Sequence, residues 1–347
     1  MFSRFRPDNF IIALVATVVV ATLAPAQGWF AEICRLATTL AIGLLFFLHG
    51  ARISRRMALE GLGHWRLHAV VFASTFILFP LLGLAAHLLV PSLLTPALYA
   101  GVLFLCLLPS TVQSSIAFTS IAGGNVPAAI CSASASNIIG MFLTPALVAL
   151  FFSANGNGFS MRALEGILAQ LLLPFILGQL LQPWLGAWLG RHRNLTGLVD
   201  RGSVLMVVYL AFGEAVIGGL WHTLSPASLL LLAGVDIVLL AAVLCITTYA
   251  SRYLGFSRRD EITIVFCGSK KSLASGVPMA NVIFAGQDVG SIVLPLMLFH
   301  QIQLMACAAL ARRYAQRAPH QTQPPTPGNI AQRLETKAAP RREAVHH

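Results

Sequence analysis

The stretch VFCGSKKSLASGVP, residues 265–278, decides the fold of this chain, because it places the adjacent Lys270 and Lys271 inside an apolar segment. A lysine ammonium at bilayer depth costs about 2.5 to 3.5 kcal/mol on insertion scales, so such residues usually face a protein-lined cavity and carry function. Glycine and proline, which both interrupt helices, flank the pair. The stretch therefore predicts a broken membrane helix with a functional site at its break.

A second stretch, LPSTVQSSIA at residues 108–117, repeats this pattern of helix breakers, hydroxyl residues and a short apolar run. Its QSSIA matches the KKSLA of the first stretch in character and position. Two Gly- or Pro-interrupted apolar segments at corresponding places in two halves of a chain point to a transporter binding site. The pair predicts a site where the two breaks meet.

The composition predicts an integral membrane protein. Of 347 residues, 57% are hydrophobic and 10% are charged, whereas a soluble domain carries roughly a quarter charged residues. The net charge of +11 would favour nucleic acid on a soluble face, but the basic residues lie between apolar blocks, so the predicted partner is the lipid bilayer and not nucleic acid. The six cysteines lie in apolar runs without metal or disulfide spacing.

About ten segments approach the roughly 20 apolar residues that a membrane span needs. They cover residues 9–26, 30–49, 67–90, 95–121, 126–152, 163–189, 202–221, 227–250, 261–285 and 289–311. The fourth is broken at Pro109 and the ninth near Gly268. The first also has the look of a signal peptide that ends in APA at residues 24–26. We expect it to remain as a span, because cleavage would spoil the division into five plus five.

Basic residues support this segment count, since Lys and Arg accumulate in cytoplasmic loops. If the N-terminus is cytoplasmic, that side receives Arg4, Arg6, Arg52, Arg55, Arg56, Arg66, Arg191, Arg193, Arg201, Arg252, Arg258 and Arg259. The opposite side receives Arg162, with Arg35 close to that surface. The split predicts that both termini are cytoplasmic. The membrane that we expect is the plasma membrane, which in bacteria is the inner membrane.

The fold class predicted is an all-α polytopic membrane protein. Five segments per half is an odd number, so two similar halves must lie in opposite orientations. We expect inverted repeats over about 8–153 and 161–314, within a transmembrane domain of residues 1–318. Residues 319–347 have almost no apolar content and are predicted to form a disordered cytoplasmic tail.

The two breaks and the fifth segment supply the candidate substrate- and ion-binding residues. Their hydroxyl and amide oxygens can bind a solute, unwound carbonyls can coordinate a cation, and half-helix N-termini face anions. Each serine could instead serve close helix packing, the commoner role of small residues in membrane helices. The candidates are Pro109, Ser110, Thr111, Gln113, Ser114, Ser115, Asn137, Ser269, Lys270, Lys271 and Ser272.

Charge partners for the lysines are expected in neighbouring segments, because intramembrane ions tend to pair. Glu214 in the seventh segment and Asp236 in the eighth are the carboxylates near bilayer depth. The sequence leaves open which carboxylate pairs with which lysine, and whether a paired lysine is only structural. Adjacent helical residues point about 100° apart, so Lys270 and Lys271 are expected to have different roles.

Several function classes are disfavoured. The chain has no Walker A, GxSxG or HExxH motif, so neither an enzyme nor an ATP-driven pump is predicted. No cofactor or metal site is predicted, because the histidines are scattered, and His49 is interpreted as an interface residue at a segment end. A secondary carrier is the leading interpretation. The alternative is a non-transporting membrane receptor or scaffold with the carrier fold, and a channel suits broken, inverted helices less well.

The chain resembles the bile acid:sodium symporter family, and more closely its divergent SBF-like branch of sodium-dependent transporters. The resemblance rests on FLHGAR at residues 47–52, LPSTVQSS at 108–115, Gly124-Asn125 and GSKKS at 268–272, and it covers nearly all of residues 8–314. It implies ten spans, a panel domain and a core domain, with the fourth and ninth spans unwinding where they cross. It also implies alternating access, with a substrate, expected to be a small organic anion, held beside the crossover.

The same resemblance aligns several of the family's sodium-binding positions with residues of this chain whose side chains cannot bind sodium. Aligned on Gly268, the family's ligand positions fall on or near Phe266, Lys270, Lys271, Thr75, Ala129 and Ala133, while Ser114 and Ser115 are kept. An ammonium and a Na⁺ ion cannot share one oxygen cage, so we hypothesise that one lysine occupies the sodium position. The coupling ion is left open between Na⁺ and H⁺, since a lysine that releases its proton could couple transport to protons.

Overall fold

The regular structure of the described chain is helical. The computed structural model of the protein describes residues 9–52, 64–153, 168–219 and 225–316. The helices are α1 (Asn9–Leu23), α2 (Gly28–Arg52), α3 (Trp65–Leu89), α4 (Pro96–Leu107), α5 (Gln113–Ile121), α6 (Val126–Ser153), α7 (Leu173–Arg191), α8 (Arg193–Ile217), α9 (Pro226–Tyr253), α10 (Arg258–Gly268), α11 (Leu273–Ile283) and α12 (Val289–Gln316). The predicted tail at 319–347 and the loop that carries Arg162 lie outside the described residues.

Seven of these helices, α2, α3, α6, α7, α8, α9 and α12, are long and apolar enough to cross a membrane, while α1 and α4 are shorter apolar helices. Large apolar side chains remain exposed on their outer faces, as on α9, where Leu230 is 75% and Val238 is 69% accessible. A soluble protein would bury a face of this kind. The chain is an integral membrane protein with multiple spans.

The helices pack in two groups. In the first, α2 packs on α7 and α8, and α1 packs on α8. In the second, α3–α6 and α9–α12 pack on one another, with α12 in contact with α4, α5, α9 and α11. The groups meet mainly where α8 contacts α11 and α12.

Glycines allow the closest helix contact of the first group. A Cβ atom on Gly50 of α2 would lie 2.1 Å from the carbonyl oxygen of Phe175, and one on Gly178 of α7 would lie 2.0 Å from that of Phe47. Small residues let membrane helices approach this closely, which is how they associate without a hydrophobic driving force. The α2–α7 pair is therefore held at backbone contact distance.

Both predicted helix breaks are present in the structure. The residue after α4, Leu108, is extended (φ −76°, ψ 156°), as residues before proline usually are, and helical structure resumes only at Gln113. The second break separates α10 from α11 and ends at Ser272, whose hydroxyl caps α11 by accepting a hydrogen bond from the amide N–H of Ser275.

The seventh predicted segment begins too late. We placed its start at residue 202, whereas α8 begins at Arg193. Arg201, which the charge count predicts to lie in a loop, and its neighbour Asp200 therefore lie two turns inside a helix. Polar residues in the first turns of this helix lower the mean hydropathy there, so a hydropathy pattern does not reveal where the helix begins.

Candidate functional site

The two breaks contact each other directly. The backbone N–H of Ser272 donates a hydrogen bond of 2.9 Å to the carbonyl oxygen of Pro109. Non-helical backbone inside a membrane protein is tolerated only where other groups satisfy its hydrogen bonds. We call this meeting of residues 108–112 and 269–272 the crossover.

Serine hydroxyls complete the C-terminal end of α10. The last four carbonyls of a helix have no partner within it, and here each of the four, at residues 265–268, accepts a hydrogen bond from a serine. The donors and distances are Ser269 to Val265 (2.6 Å), Ser115 to Phe266 (3.0 Å), Ser110 to Cys267 (2.6 Å) and Ser74 to Gly268 (2.8 Å). These serines stabilise the crossover by capping a helix.

Lys271 caps the C-terminal end of α4 in a similar way, because its side chain donates to carbonyls there. Its fully buried Nζ donates to the carbonyl oxygens of Cys106 (2.9 Å) and Leu108 (2.7 Å), and to that of Thr75 (2.9 Å) in the π turn of α3. The Phe79 ring centroid lies 4.1 Å from the same atom. An ammonium has three donors, so these three carbonyls satisfy it completely.

The side chain of Lys270 does not reach the carbonyls that Lys271 binds, which agrees with the expectation that the two lysines have different roles. Its Nζ is also fully buried but has no hydrogen-bond partner, and it lies 3.9 Å from the Phe118 ring centroid and 5.6 Å from that of Phe266. Cation–π attraction to two rings is the favourable interaction available to it.

The expected charge pairs between these lysines and the two carboxylates are wrong. Glu214 accepts from Arg35 at 2.8 Å, in an ion pair whose side chains are 44% and 57% accessible. It lies near the end of α8, at the level where α2 begins, rather than beside a lysine. Asp236 is fully buried in α9, and neither of its carboxyl oxygens has a hydrogen-bond partner.

A cavity of about 680 Å³ adjoins the crossover and divides the predicted site residues. Five of them line it, namely Thr111, Gln113, Ser114, Asn137 and Ser272. The other six are packed inside the crossover, namely Pro109, Ser110, Ser115, Ser269, Lys270 and Lys271. The first set can touch a solute, whereas the second set holds the broken helices together.

Two helix N-termini border this cavity. Residues 112–114 at the start of α5 and residues 272–275 at the start of α11 line it. A helix N-terminus carries a partial positive charge and free N–H groups, so it attracts anions. Asn137 adds an amide there, and its Oδ1 accepts a hydrogen bond of 2.9 Å from Ser275.

The lining of the cavity also includes a charged cluster that the sequence analysis missed. Arg52 donates to Asp200 at 2.9 Å, and His49 Nε2 lies 3.7 Å from the same carboxylate. One terminal nitrogen of Arg52 is buried without a hydrogen-bond partner, and Arg201 also lines the cavity. The sequence predicts an interface position for His49 and a topology role for Arg52, although both belong to the FLHGAR motif that carries the resemblance.

One histidine of the cavity, His300, is linked to the crossover. His300 lines the cavity and shares a hydrogen bond of 2.9 Å with Gln303, which in turn contacts the backbone of Lys271. His68 shares one of 2.6 Å with Ser132 of α6. Within the described ranges, no three His, Cys, Asp or Glu side chains converge as a metal site would require.

Comparison with known proteins places the chain among transporters. A family described as the SBF-like CPA transporter family matches residues 8–316. The chain is 58% identical over 315 residues to an uncharacterized protein of Pseudomonas aeruginosa, covering 90% of this chain and 95% of that one. It is 53% identical over 307 residues to "Putative symporter YfeH" of Escherichia coli K12 (88% and 92%), and 25% identical over 316 residues to sodium/bile acid cotransporter 7 of Rattus norvegicus (89% and 93%).

Proposed function

Because the chain belongs to the SBF-like CPA transporter family, we propose that this transporter is a secondary symporter that moves a small organic anion by alternating access. The driving ion is Na⁺ or H⁺. The names of the relatives in Escherichia coli and Rattus norvegicus, a symporter and a sodium/bile acid cotransporter, support ion-coupled uptake of an organic solute.

The observation that carries this proposal is the position of the cavity. It extends from Arg52 and Trp65, at the facing ends of α2 and α3, to Ser272 at the crossover. Its volume of about 680 Å³ lies in the range typical of small-molecule sites. A solute that reaches Gln113 and Ser272 therefore touches the starts of α5 and α11, where the two broken helices begin again.

The charges around the cavity favour an anion. Two helix N-termini line it at the crossover, Arg52 and Arg201 line it as well, and Asp200 is the one carboxylate among its described lining residues. Phe10, Phe72 and Leu304 supply apolar surface to the lining. A carboxylate or sulfonate on an apolar body matches this arrangement.

Alternating access follows if the two packing groups move against each other. The group of α1, α2, α7 and α8 would be the panel domain, and the remaining helices the core domain that contains the crossover. The matching breaks after α4 and α10 support two inverted five-helix repeats. With both termini cytoplasmic, the end at Arg52 and Trp65 faces the cytoplasm, so the described conformation is inward-facing.

A screen followed by a flux assay tests the proposal. Purified protein is screened by thermal shift against organic carboxylates and sulfonates, and the best stabiliser is radiolabelled for counterflow into proteoliposomes. We expect saturable, gradient-dependent counterflow, with Na⁺ and pH varied separately to identify the driving ion. A membrane receptor or scaffold would bind the anion but give no counterflow, and that result would overturn the proposal.

A further inference from the structure

We propose that the crossover of this protein carries its own cation, the ammonium of Lys271, in a cage of backbone carbonyls that would otherwise bind a mobile metal ion. The inference concerns what occupies this cage and holds whether or not the protein transports an anion. It also selects between the two lysines, which the sequence could not do.

The cage is made of carbonyls that helix geometry leaves free. Cys106 and Leu108 stand at the C-terminal end of α4, where carbonyls have no partner and the helix dipole is negative. Thr75 lies in the π turn Ser74–Leu78, where the helical hydrogen-bond pattern shifts from i+4 to i+5. Unwound carbonyls and half-helix C-terminal ends are the groups that coordinate cations in transporters with broken helices.

The ammonium fills this cage completely. All three of its N–H donors are used at 2.7 to 2.9 Å, and the Phe79 ring lies against it at 4.1 Å. The side chain is fully buried and cannot reach water. A metal ion at the same carbonyls would sit against this positive charge, so the two exclude each other.

The backbone of Lys271 is fixed from the other side. Gln303 of α12 accepts from its N–H and donates to its C=O, both at 3.0 Å. The ammonium is therefore tethered at one end by α12 and bound at the other by α3 and α4. Such a residue holds three helices of the crossover together, as a bound cation would.

The side chains that the family resemblance aligns with sodium ligands do not fit a sodium ion here. Ala129 and Ala133 offer no side-chain oxygen, and Phe266 packs beside Lys270. The hydroxyl of Thr75 donates back to Val71 in its own helix. Ser114 and Ser115 keep their hydroxyls, but these donate to the Thr111 hydroxyl and to the Phe266 carbonyl. The carbonyl oxygens of Thr75, Cys106 and Leu108, which are of the kind that binds a cation, are occupied by Lys271.

The adjacent lysine supplies a matched control. Lys270 is equally buried, but its Nζ contacts aromatic rings instead of carbonyls. Removal of Lys270 therefore deletes a buried charge without opening an oxygen cage. Lys271→Ala deletes a buried charge and empties the cage.

Thermal unfolding of the purified protein in different salts tests this inference. Midpoints are compared in NaCl, LiCl, KCl and methylammonium chloride against choline chloride at equal ionic strength. We expect Lys271→Ala to unfold at a lower temperature in choline and to regain about 3 to 6 °C, saturably, with at least one small cation. This gain should exceed that of wild type and of Lys270→Ala, because a cation site elsewhere in the protein would stabilise all three alike.

Two results would overturn it. One is a folded Lys271→Ala protein, monodisperse by size exclusion, that gains no more from any small cation than wild type does. The other is a saturable Na⁺ stabilisation of wild type that Lys271→Ala abolishes, because Lys271 would then help to hold a metal ion. If Lys271→Ala does not fold, Lys271→Leu, which keeps an apolar side chain without an N–H donor, is judged by the same two criteria.

Discussion

Gln303 forms a two-point hydrogen bond with the backbone of Lys271, its Oε1 accepting from the lysine N–H and its Nε2 donating to the lysine carbonyl, each at 3.0 Å. Both groups belong to a non-helical residue buried at the crossover, where water cannot replace the lost partner. A single side chain of α12 thus satisfies the backbone of the residue whose side chain closes the end of α4.

We expect Gln303→Ala to lower the free energy of unfolding by about 2 kcal/mol or more, because a buried donor and a buried acceptor each lose their partner. Chemical denaturation of the purified protein measures the change. Gln301→Ala, on the same helix but only half-buried, is the control and should stay within about 0.5 kcal/mol of wild type. Equal effects of the two substitutions would contradict the conclusion that Gln303 stabilises the backbone of Lys271.

Two serines of the same predicted site should separate stability from binding. Ser110→Ala removes the hydroxyl that caps the Cys267 carbonyl and should cost about 1 to 2 kcal/mol of stability, with the affinity for the transported anion unchanged. Ser114 lines the cavity, and its hydroxyl donates a hydrogen bond of 3.4 Å to that of Thr111. Ser114→Ala should weaken anion binding with little loss of stability.

Thermal unfolding and isothermal titration with the anion found by screening measure both quantities for both serines. The assignment fails if Ser110→Ala leaves unfolding unchanged, or if Ser114→Ala leaves the affinity unchanged. Both substitutions delete one hydroxyl group, so each variant is the control for the other.

Because α2 and α7 are in backbone contact, we expect the effect of a glycine-to-alanine substitution in α7 on stability to depend strongly on its position. In Gly178→Ala the new methyl would lie 2.0 Å from the Phe47 carbonyl oxygen, so the helices must separate, at a cost of about 1 to 3 kcal/mol. Gly190→Ala, in the last turn of the same helix, meets no atom within 4 Å and should stabilise the protein by up to about 1 kcal/mol through helix propensity. Chemical denaturation of both variants measures the change in the free energy of unfolding. If that change has the same sign in both, the close packing of α2 on α7 is contradicted.

The helix breaks could be predicted from sequence because they depend on local chemistry. Pro109 has no N–H and forces the preceding Leu108 into an extended conformation. The lysine pair at 270 and 271 was recognisable because charged residues are rare at bilayer depth. These are properties of single residues and their neighbours in the chain.

The partners of these residues could not be predicted in the same way. Lys271 binds backbone carbonyls, which every residue possesses, so no residue type in the sequence marks them. Glu214 was matched with a lysine because both lie in apolar segments, yet it lies near a helix end and pairs with Arg35. Asp200 escaped notice because the polar first turns of α8 concealed the helix that carries it into the cavity.

Substitution of Arg52 tests whether the charged cluster in the lining of the cavity binds the transported anion. Arg52 lines the cavity and its guanidinium pairs with Asp200 at 2.9 Å, and we expect it to donate a further charge-assisted hydrogen bond to an anion in the cavity. A charge-assisted hydrogen bond contributes about 1.5 to 3 kcal/mol, so Arg52→Gln should raise KM for the anion about 10- to 100-fold in proteoliposomes. Arg35→Gln removes an arginine from an exposed ion pair with Glu214, where such pairs contribute little, and should leave KM unchanged. A KM that responds equally to both substitutions would indicate a general effect of positive charge on the anion, whereas a response confined to Arg52 assigns it to the site.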